Sequence, residues 1–367
     1  QVVLLTTHRS KDERRDLLAA LPHCERIDSV PHEAPKAGTA AFAAALARSW
    51  LSPLPVDMLR WRSRTLRRRI REEITTRDLD LCVSDFLVSF ASFPRKSRVP
   101  LVLFEHNVEH LLWKRLASLE PAPLKRALLE LEWRKIRRFE SRACRLARRT
   151  VTVSEQDRAF LAKEARGADF RVVATGVDTT FYRPNGARED ARKLVFTGSM
   201  DWYPNEDAVL DFLDASFPRI RRETEGVSLT VVGRNPSPKL RAAASRDVTI
   251  TGTVPDVRPY VAEAAVYIVP LRLGSGTRLK IFEALAMGKA VVSTTLGAEG
   301  LPLVPGEHYL RADEPADFAR EVTALLKDPE RRRRLGAAGR RLVEERFSWP
   351  QVTREFQNDI ADLGNPS

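Results

Sequence analysis

Cysteine is scarce in this chain of 367 residues: three occur, Cys24, Cys82 and Cys144, with no close spacing. So few, scattered and odd in number, they exclude a disulfide framework and a cysteine-based zinc site, and they fit a reducing compartment. The six histidines form no H-E-x-x-H pair, so the usual helical zinc motif is absent too. No apolar run approaches the roughly 20 residues that span a bilayer. The opening Gln1–Leu5 enters a strand-like run without a signal-peptide layout, and Gln1 implies a few residues upstream. Internal repeats and low-complexity tracts are also lacking. These absences lead to the expectation of a cytoplasmic protein.

What remains has the balance of a soluble globular chain, 43% hydrophobic and 30% charged, with a length that implies two domains. The charge is uneven. Residues 1–180 carry 34 lysines and arginines against 23 acids, whereas the remainder carries 27 against 26. The two halves therefore face different partners. Two basic stretches with interleaved apolar residues, Arg60–Arg71 and Lys135–Arg149, suit anionic lipid head groups, nucleic acid, or simple solvation. With no nucleic-acid motif, nucleic acid is not expected, which leaves two equal readings: peripheral contact with an anionic membrane on its inner face, and a merely solvated basic face.

Short β runs alternate with amphipathic helices. Val2–Leu5, Leu79–Val83, Pro100–Phe104 and Thr150–Val153 read as strands in the first half, with helices over Asp12–Leu21, Leu59–Ile74 and about Pro123–Leu146. In the second half Lys193–Phe196, Val227–Val232, Val248–Ile250, Ala265–Val269 and Ala290–Ser293 read as strands, with a helix over Asn205–Arg221. Such alternation predicts α/β architecture with doubly wound parallel sheets. The turn-rich Arg183-Pro184-Asn185-Gly186 marks the expected break, giving domains 1–184 and 185–347 and a closing helix in 348–367. Ligands in such sheets gather beyond the carboxyl ends of the strands.

One stretch carries more chemistry than the rest. The strand ending at Val269-Pro270 is followed by Gly274-Ser275-Gly276-Thr277 and then by a helix containing Arg278, Lys280 and Glu283. Glycines let a ligand approach the backbone, and free amides at a helix start bind anions. Cations in a first turn oppose the macrodipole unless an anion sits before them. Lys280 and Glu283, three apart, share one face, while Leu279, Phe282 and Leu285/Ala286 form the buried face. The arrangement fits a diphosphate held by Gly274, Ser275, Gly276, Thr277, Arg278 and Lys280, with Glu283 accepting from sugar hydroxyls.

Gly274–Leu301 resembles the retaining glycosyltransferases of family 4, whose GT-B fold sets two Rossmann-like domains facing across a cleft. Val153-Ser154-Glu155, Thr175-Gly176-Val177-Asp178, Phe196-Thr197-Gly198-Ser199-Met200, Val231-Val232-Gly233, Thr251–Asp256 and Phe104–Glu109 support the resemblance. Within the family the chain is similar to sugar transferases of bacterial exopolysaccharide and exosortase systems. The resemblance implies retaining, metal-independent transfer of a hexose from a nucleotide-diphosphate sugar, with no further cofactor. The acceptor would be a glycan, a lipid-linked sugar or a small molecule in bacterial polysaccharide or glycoconjugate synthesis. It implies that Glu283 binds the donor ribose and that His106, after the run Leu101–Phe104, contacts the donor sugar. Gly198, Val254 and nearby backbone would meet the nucleotide, and the closing helix would cross back to the first domain.

Two positions depart from the family pattern. Ser275 stands where the first acid of Glu-x7-Glu is expected. The Arg and Lys usual after the second domain's first strand are also missing from Gly198–Asn205, which leaves Arg278 and Lys280 to supply that charge. A non-catalytic nucleotide-sugar-binding protein of the same fold is therefore the alternative reading. Elsewhere, Asp85 reads as a turn former or a hydroxyl ligand, Glu109 as a cap of the following helix, and Ser154 first as an N-cap.

Overall fold

The computed structural model describes residues 1–36, 38–94, 96–273 and 279–364. The chain divides into two compact units, Gln1–Val172 with Asn358–Ser367, and Val173–Gln357.

Unit 1 holds two parallel sheets. β1 (Val3–His8) pairs with β2 (Arg26–Pro31), and β3 (Cys82–Asp85), β4 (Leu101–Glu105), β5 (Arg149–Thr152) and β6 (Phe170–Val172) lie side by side in chain order. The helix Pro123–Leu146 starts on a proline, whose missing N–H costs nothing at a first helical position. It packs Ile136, Ala143 and Cys144 into a core with Leu87, Leu103 and Leu161. The basic stretch does not run as one helix over Leu59–Ile74. It breaks into Val56–Arg60 and Arg64–Thr76, because Ser63 Oγ accepts from Leu66 N at 3.3 Å and starts the second helix afresh. That helix buries Leu66, Ile70 and Ile74 and leaves Arg64, Arg68, Arg69 and Arg71 exposed.

Unit 2 holds one six-stranded parallel sheet: β7 (Asp190–Thr197), β8 (Ser228–Val232), β9 (Val248–Ile250), β10 (Ala264–Val269), β11 (Ala290–Ser293) and β12 (Leu310–Arg311), in the order β12-β11-β10-β7-β8-β9. Every residue of β10 and β11 is buried, as expected of strands covered on both faces. The chain builds outward from β7 to β9 and then returns to the other side of β7 with β10. The carboxyl ends of β7 and β10 are thus a topological switch point. The helix expected over Asn205–Arg221 is three stretches, Tyr203–Asp211, a π turn at Phe212–Ser216, and Phe217–Glu223. Phe217 N reaches back five residues to Phe212 O, just before Pro218, which has no N–H to give.

The division between units falls at Val172/Val173, ahead of the break expected near residues 183–192. Residues 173–184 join unit 2 because Val177 N donates to Phe347 O at 2.8 Å, Trp349 N donates to Val177 O at 3.2 Å, and Tyr182 packs on the core around Phe282. The final helix is Trp349–Ile360, followed by a 3-10 turn at Ala361–Leu363, and the division between units falls within the helix. The chain's end is held to unit 1 by buried Arg149, which donates to Asp362 at 2.7 and 3.0 Å and to Asp169 at 2.7 Å.

Candidate functional site

The carboxyl ends of β7 and β8 approach each other more closely than side chains allow. A Cβ on Gly233 would fall 1.7 Å from Gly198 O, so the loops after these strands can touch only through glycine. At Gly198 itself a Cβ would stand 2.7 Å from both Asn205 Nδ2 and Lys280 Nζ. Lys280 comes from the helix Leu279–Ala286, which follows β10 across the switch point. Its Nζ donates to Asn205 Oδ1 at 2.7 Å and lies 4.2 Å from the centre of the Phe196 ring. Asn205 is buried and oriented by its own donation to Ser199 O at 2.9 Å. The positive charge missing from Gly198–Asn205 is thereby delivered from another helix.

One face of that helix buries Ile281, Phe282 and Leu285, whereas Leu279, expected inside, is 40% exposed. Glu283 is half-buried, and burial raises its carboxyl from the ordinary value while the hydroxyl of Tyr182 donates to it and Lys280 opposes the shift. Val254 is half-buried beyond β9 against the same core. Arg272, just after β10, is committed to ion pairs with Asp207 at 3.0 Å and Asp211 at 2.7 Å. Gly274, Ser275, Gly276, Thr277 and Arg278 lie outside the described residues.

In unit 1 the strand ends bring together Asp85 and His106. His106 Nε2 stands 2.6 Å from Asp85 Oδ1, and the imidazole stacks on Phe86 with centroids 4.1 Å apart. Ser154 is the N-cap expected of it, accepting from Asp157 N at 3.0 Å. Glu109 is not a cap. The helix Glu109–Leu119 starts on it, and fully buried Glu140 does the capping from the helix Pro123–Leu146. Glu140 accepts from Glu109 N at 2.7 Å, from His110 N at 3.4 Å and from His110 Nδ1.

Carboxyls crowd behind this strand end. Burial pushes Glu105 well above the carboxylate range, with Glu140, Glu109 and Asp157 adding to it. Glu109 rises to about 7, first through burial and then through Glu140 and Asp57. The folded chain holds these protons more tightly than the unfolded chain, so this contribution is complete below about 4.5 and is lost as pH rises through 7. Glu109→Gln should match wild type near pH 4 in urea unfolding. It should be more stable by about 1–3 kcal/mol at pH 8, a figure reduced for partial solvent access.

Among the described residues, no group of three or more His, Cys, Asp or Glu is placed to hold a metal ion, and no helix is long and apolar enough to cross a membrane.

A family model described as Glycosyltransferase Family 4 matches residues 1–181, and one described as Glycosyl transferases group 1 matches residues 191–328. A phosphatidyl-myo-inositol mannosyltransferase of Mycobacterium tuberculosis is 31% identical over 208 residues, 53% of this chain and 54% of that protein. A GDP-mannose-dependent alpha-(1-6)-phosphatidylinositol monomannoside mannosyltransferase of the same organism is 28% identical over 219 residues, 54% of this chain and 57% of that protein. The chain thus spans about half the length of the curated relatives it matches. Among solved structures, HepE of Anabaena in complex with UDP superposes with a TM-score of 0.65 at 14% identity, covering 99% of this chain and 100% of that one.

Proposed function

Because the chain belongs to the family 4, group 1 glycosyltransferases and has their GT-B fold, we propose that it transfers a hexose from a nucleotide-diphosphate sugar to a lipid-linked or glycan acceptor. The observation that carries this reading is Lys280 Nζ held beside Gly198 at the switch point of the unit 2 sheet. A cation fixed there by Asn205 needs no reorganisation when negative charge develops in front of it.

In this reading Lys280 and Arg278, with the amides of Gly274–Thr277, take up the charge of the departing diphosphate, so no metal is required. Glu283 accepts from the ribose hydroxyls, and the backbone near Val254 meets the base. Gly198 leaves room for the phosphates, and Ser275 substitutes for the family's first acid. His106 contacts a sugar hydroxyl, and transfer retains the anomeric configuration. Mannose from GDP-mannose is the donor assigned first, since the names of the relatives specify mannosyl transfer and one of them GDP-mannose. An inositol phospholipid or its mannoside is the first acceptor on the same ground. The excess of positive charge in residues 1–180 would hold the enzyme at the inner face of an anionic membrane, in bacterial glycoconjugate synthesis.

The test is transfer itself. Purified protein, GDP-mannose and vesicles containing phosphatidylinositol should yield a lipid heavier by one hexose in mass spectrometry, with the α-anomer in its NMR spectrum. A parallel series with UDP-glucose and UDP-GlcNAc checks the base. Nucleotide binding without transfer to any acceptor in the panel would favour the non-catalytic reading, in which Ser275 has disabled the site.

A further inference from the structure

We propose that Asp85 and Phe86 are positioning residues that fix the His106 ring so that its Nδ1 is offered as a hydrogen-bond acceptor to a sugar hydroxyl. The inference deepens the assignment of His106 to the sugar and rests on it.

The argument starts with the backbone. Phe86 has φ 66° and ψ 152°, a region that only glycine occupies without strain. The sequence nevertheless places one of its largest side chains there. Such a conformation persists only where the surroundings hold it, and here they do: Phe86 N donates to Phe104 O at 3.0 Å, and Ser89 Oγ donates to Asp85 O at 2.7 Å. The ring is not part of a core, since Phe86 is 41% exposed. Its specific contact is the face of His106, 4.1 Å between centroids at an interplanar angle of 30°; the Phe104 ring lies 4.8 Å from the same imidazole. The strained turn therefore delivers an aromatic wall to one imidazole.

Asp85, the residue before it, determines the other degree of freedom. Its carboxylate can only accept, so the 2.6 Å contact places the proton of a neutral imidazole on Nε2. The lone pair is then on Nδ1, which has no hydrogen-bond partner in unit 1 among the described residues. An acceptor nitrogen matches a hydroxyl and mismatches a phosphate or carboxylate. Asp85 itself is largely exposed, so its pairing with His106 is not forced by core packing.

Three variants separate positioning from mere structure. Phe86→Gly relieves the backbone while removing the wall: its thermal midpoint should equal or exceed that of wild type, while kcat falls about tenfold or more with little change in KM. Phe86→Tyr, which keeps the aromatic face, should restore most of the turnover. In 15N NMR, with His106 assigned by its loss in His106→Gln, the neutral ring should show the Nε2–H tautomer, and Asp85→Ala should give a mixture. A Phe86→Gly protein that melts lower yet turns over like wild type, or a tautomer unaffected by Asp85→Ala, would overturn the proposal. Should the wild type transfer no sugar, the glycosyltransferase reading fails separately, and the tautomer and melting results still decide whether Asp85 and Phe86 position the ring.

Discussion

Lys280→Ala is expected to lower kcat/KM for sugar transfer by ~10²–10³, the usual effect of removing one preorganised donor from a developing oxyanion. The geometry explains why a single side chain should matter this much. Lys280 Nζ is the cation found beside Gly198 among the described residues, held by Asn205 at 2.7 Å and backed by the Phe196 ring. In a lysine free to move, part of the interaction would be lost in ordering the chain. Here that ordering is already complete. The loss should appear in both KM and kcat, because the diphosphate is already anionic in the bound donor and gains further charge as the glycosidic bond breaks. The thermal midpoint of the protein without nucleotide should change little. Steady-state kinetics with a common acceptor checks both points.

Gly233→Ala should have the largest effect on stability. The added carbon would lie 1.7 Å from Gly198 O and 2.8 Å from Gly198 C, both backbone atoms. A side chain could rotate away, but this segment is pinned: Gly198 N donates to Val232 O at 3.0 Å, and Gly233 N donates to Gly252 O at 3.2 Å. The ends of β7 and β8 must therefore separate. The expected cost is about 3–5 kcal/mol, which for a unit of this size lowers the midpoint by about 6–20 °C. Calorimetry should show the loss in the transition of unit 2, with that of unit 1 unmoved.

The strands that the sequence made legible are those with continuous apolar runs. β9 and β11 fall on the residues expected, Val248–Ile250 and Ala290–Ser293, and β10 differs by one residue. β2 was not legible because Arg26-Ile27-Asp28-Ser29-Val30-Pro31 mixes polar and apolar residues, and β6 and β12 are three and two residues long. The boundary between units was misplaced for a different reason. The turn-rich Arg183-Pro184-Asn185-Gly186 looks like the break, yet the hydrogen bonds of Val177 with Phe347 and Trp349 already tie the residues before it to unit 2.

The candidate site divides in the same way. Lys280 and Glu283 were recognisable from a local motif, since a strand, glycines and a helix start are adjacent in sequence. The residues that orient them were not. Asn205 reaches Lys280 from 75 positions away, and Tyr182 reaches Glu283 from residues expected to belong to the first domain. Glu140 sits inside a long helix with no local signal to mark it, and only the packed structure shows it capping another helix. No periodicity announces such partners, because they are defined by tertiary contact. Phe86 is similar: its positive φ has no glycine to mark it.

The central claim is that Lys280 and its neighbours bind a nucleotide diphosphate. Titration calorimetry tests it most directly, with GDP, UDP, ADP and dTDP and their sugar conjugates run against wild type and Lys280→Ala. The account predicts that one nucleotide series binds wild type, that its sugar conjugate binds too, and that both weaken by about tenfold or more in the variant. Binding that is absent throughout, or equal in wild type and Lys280→Ala, would contradict it.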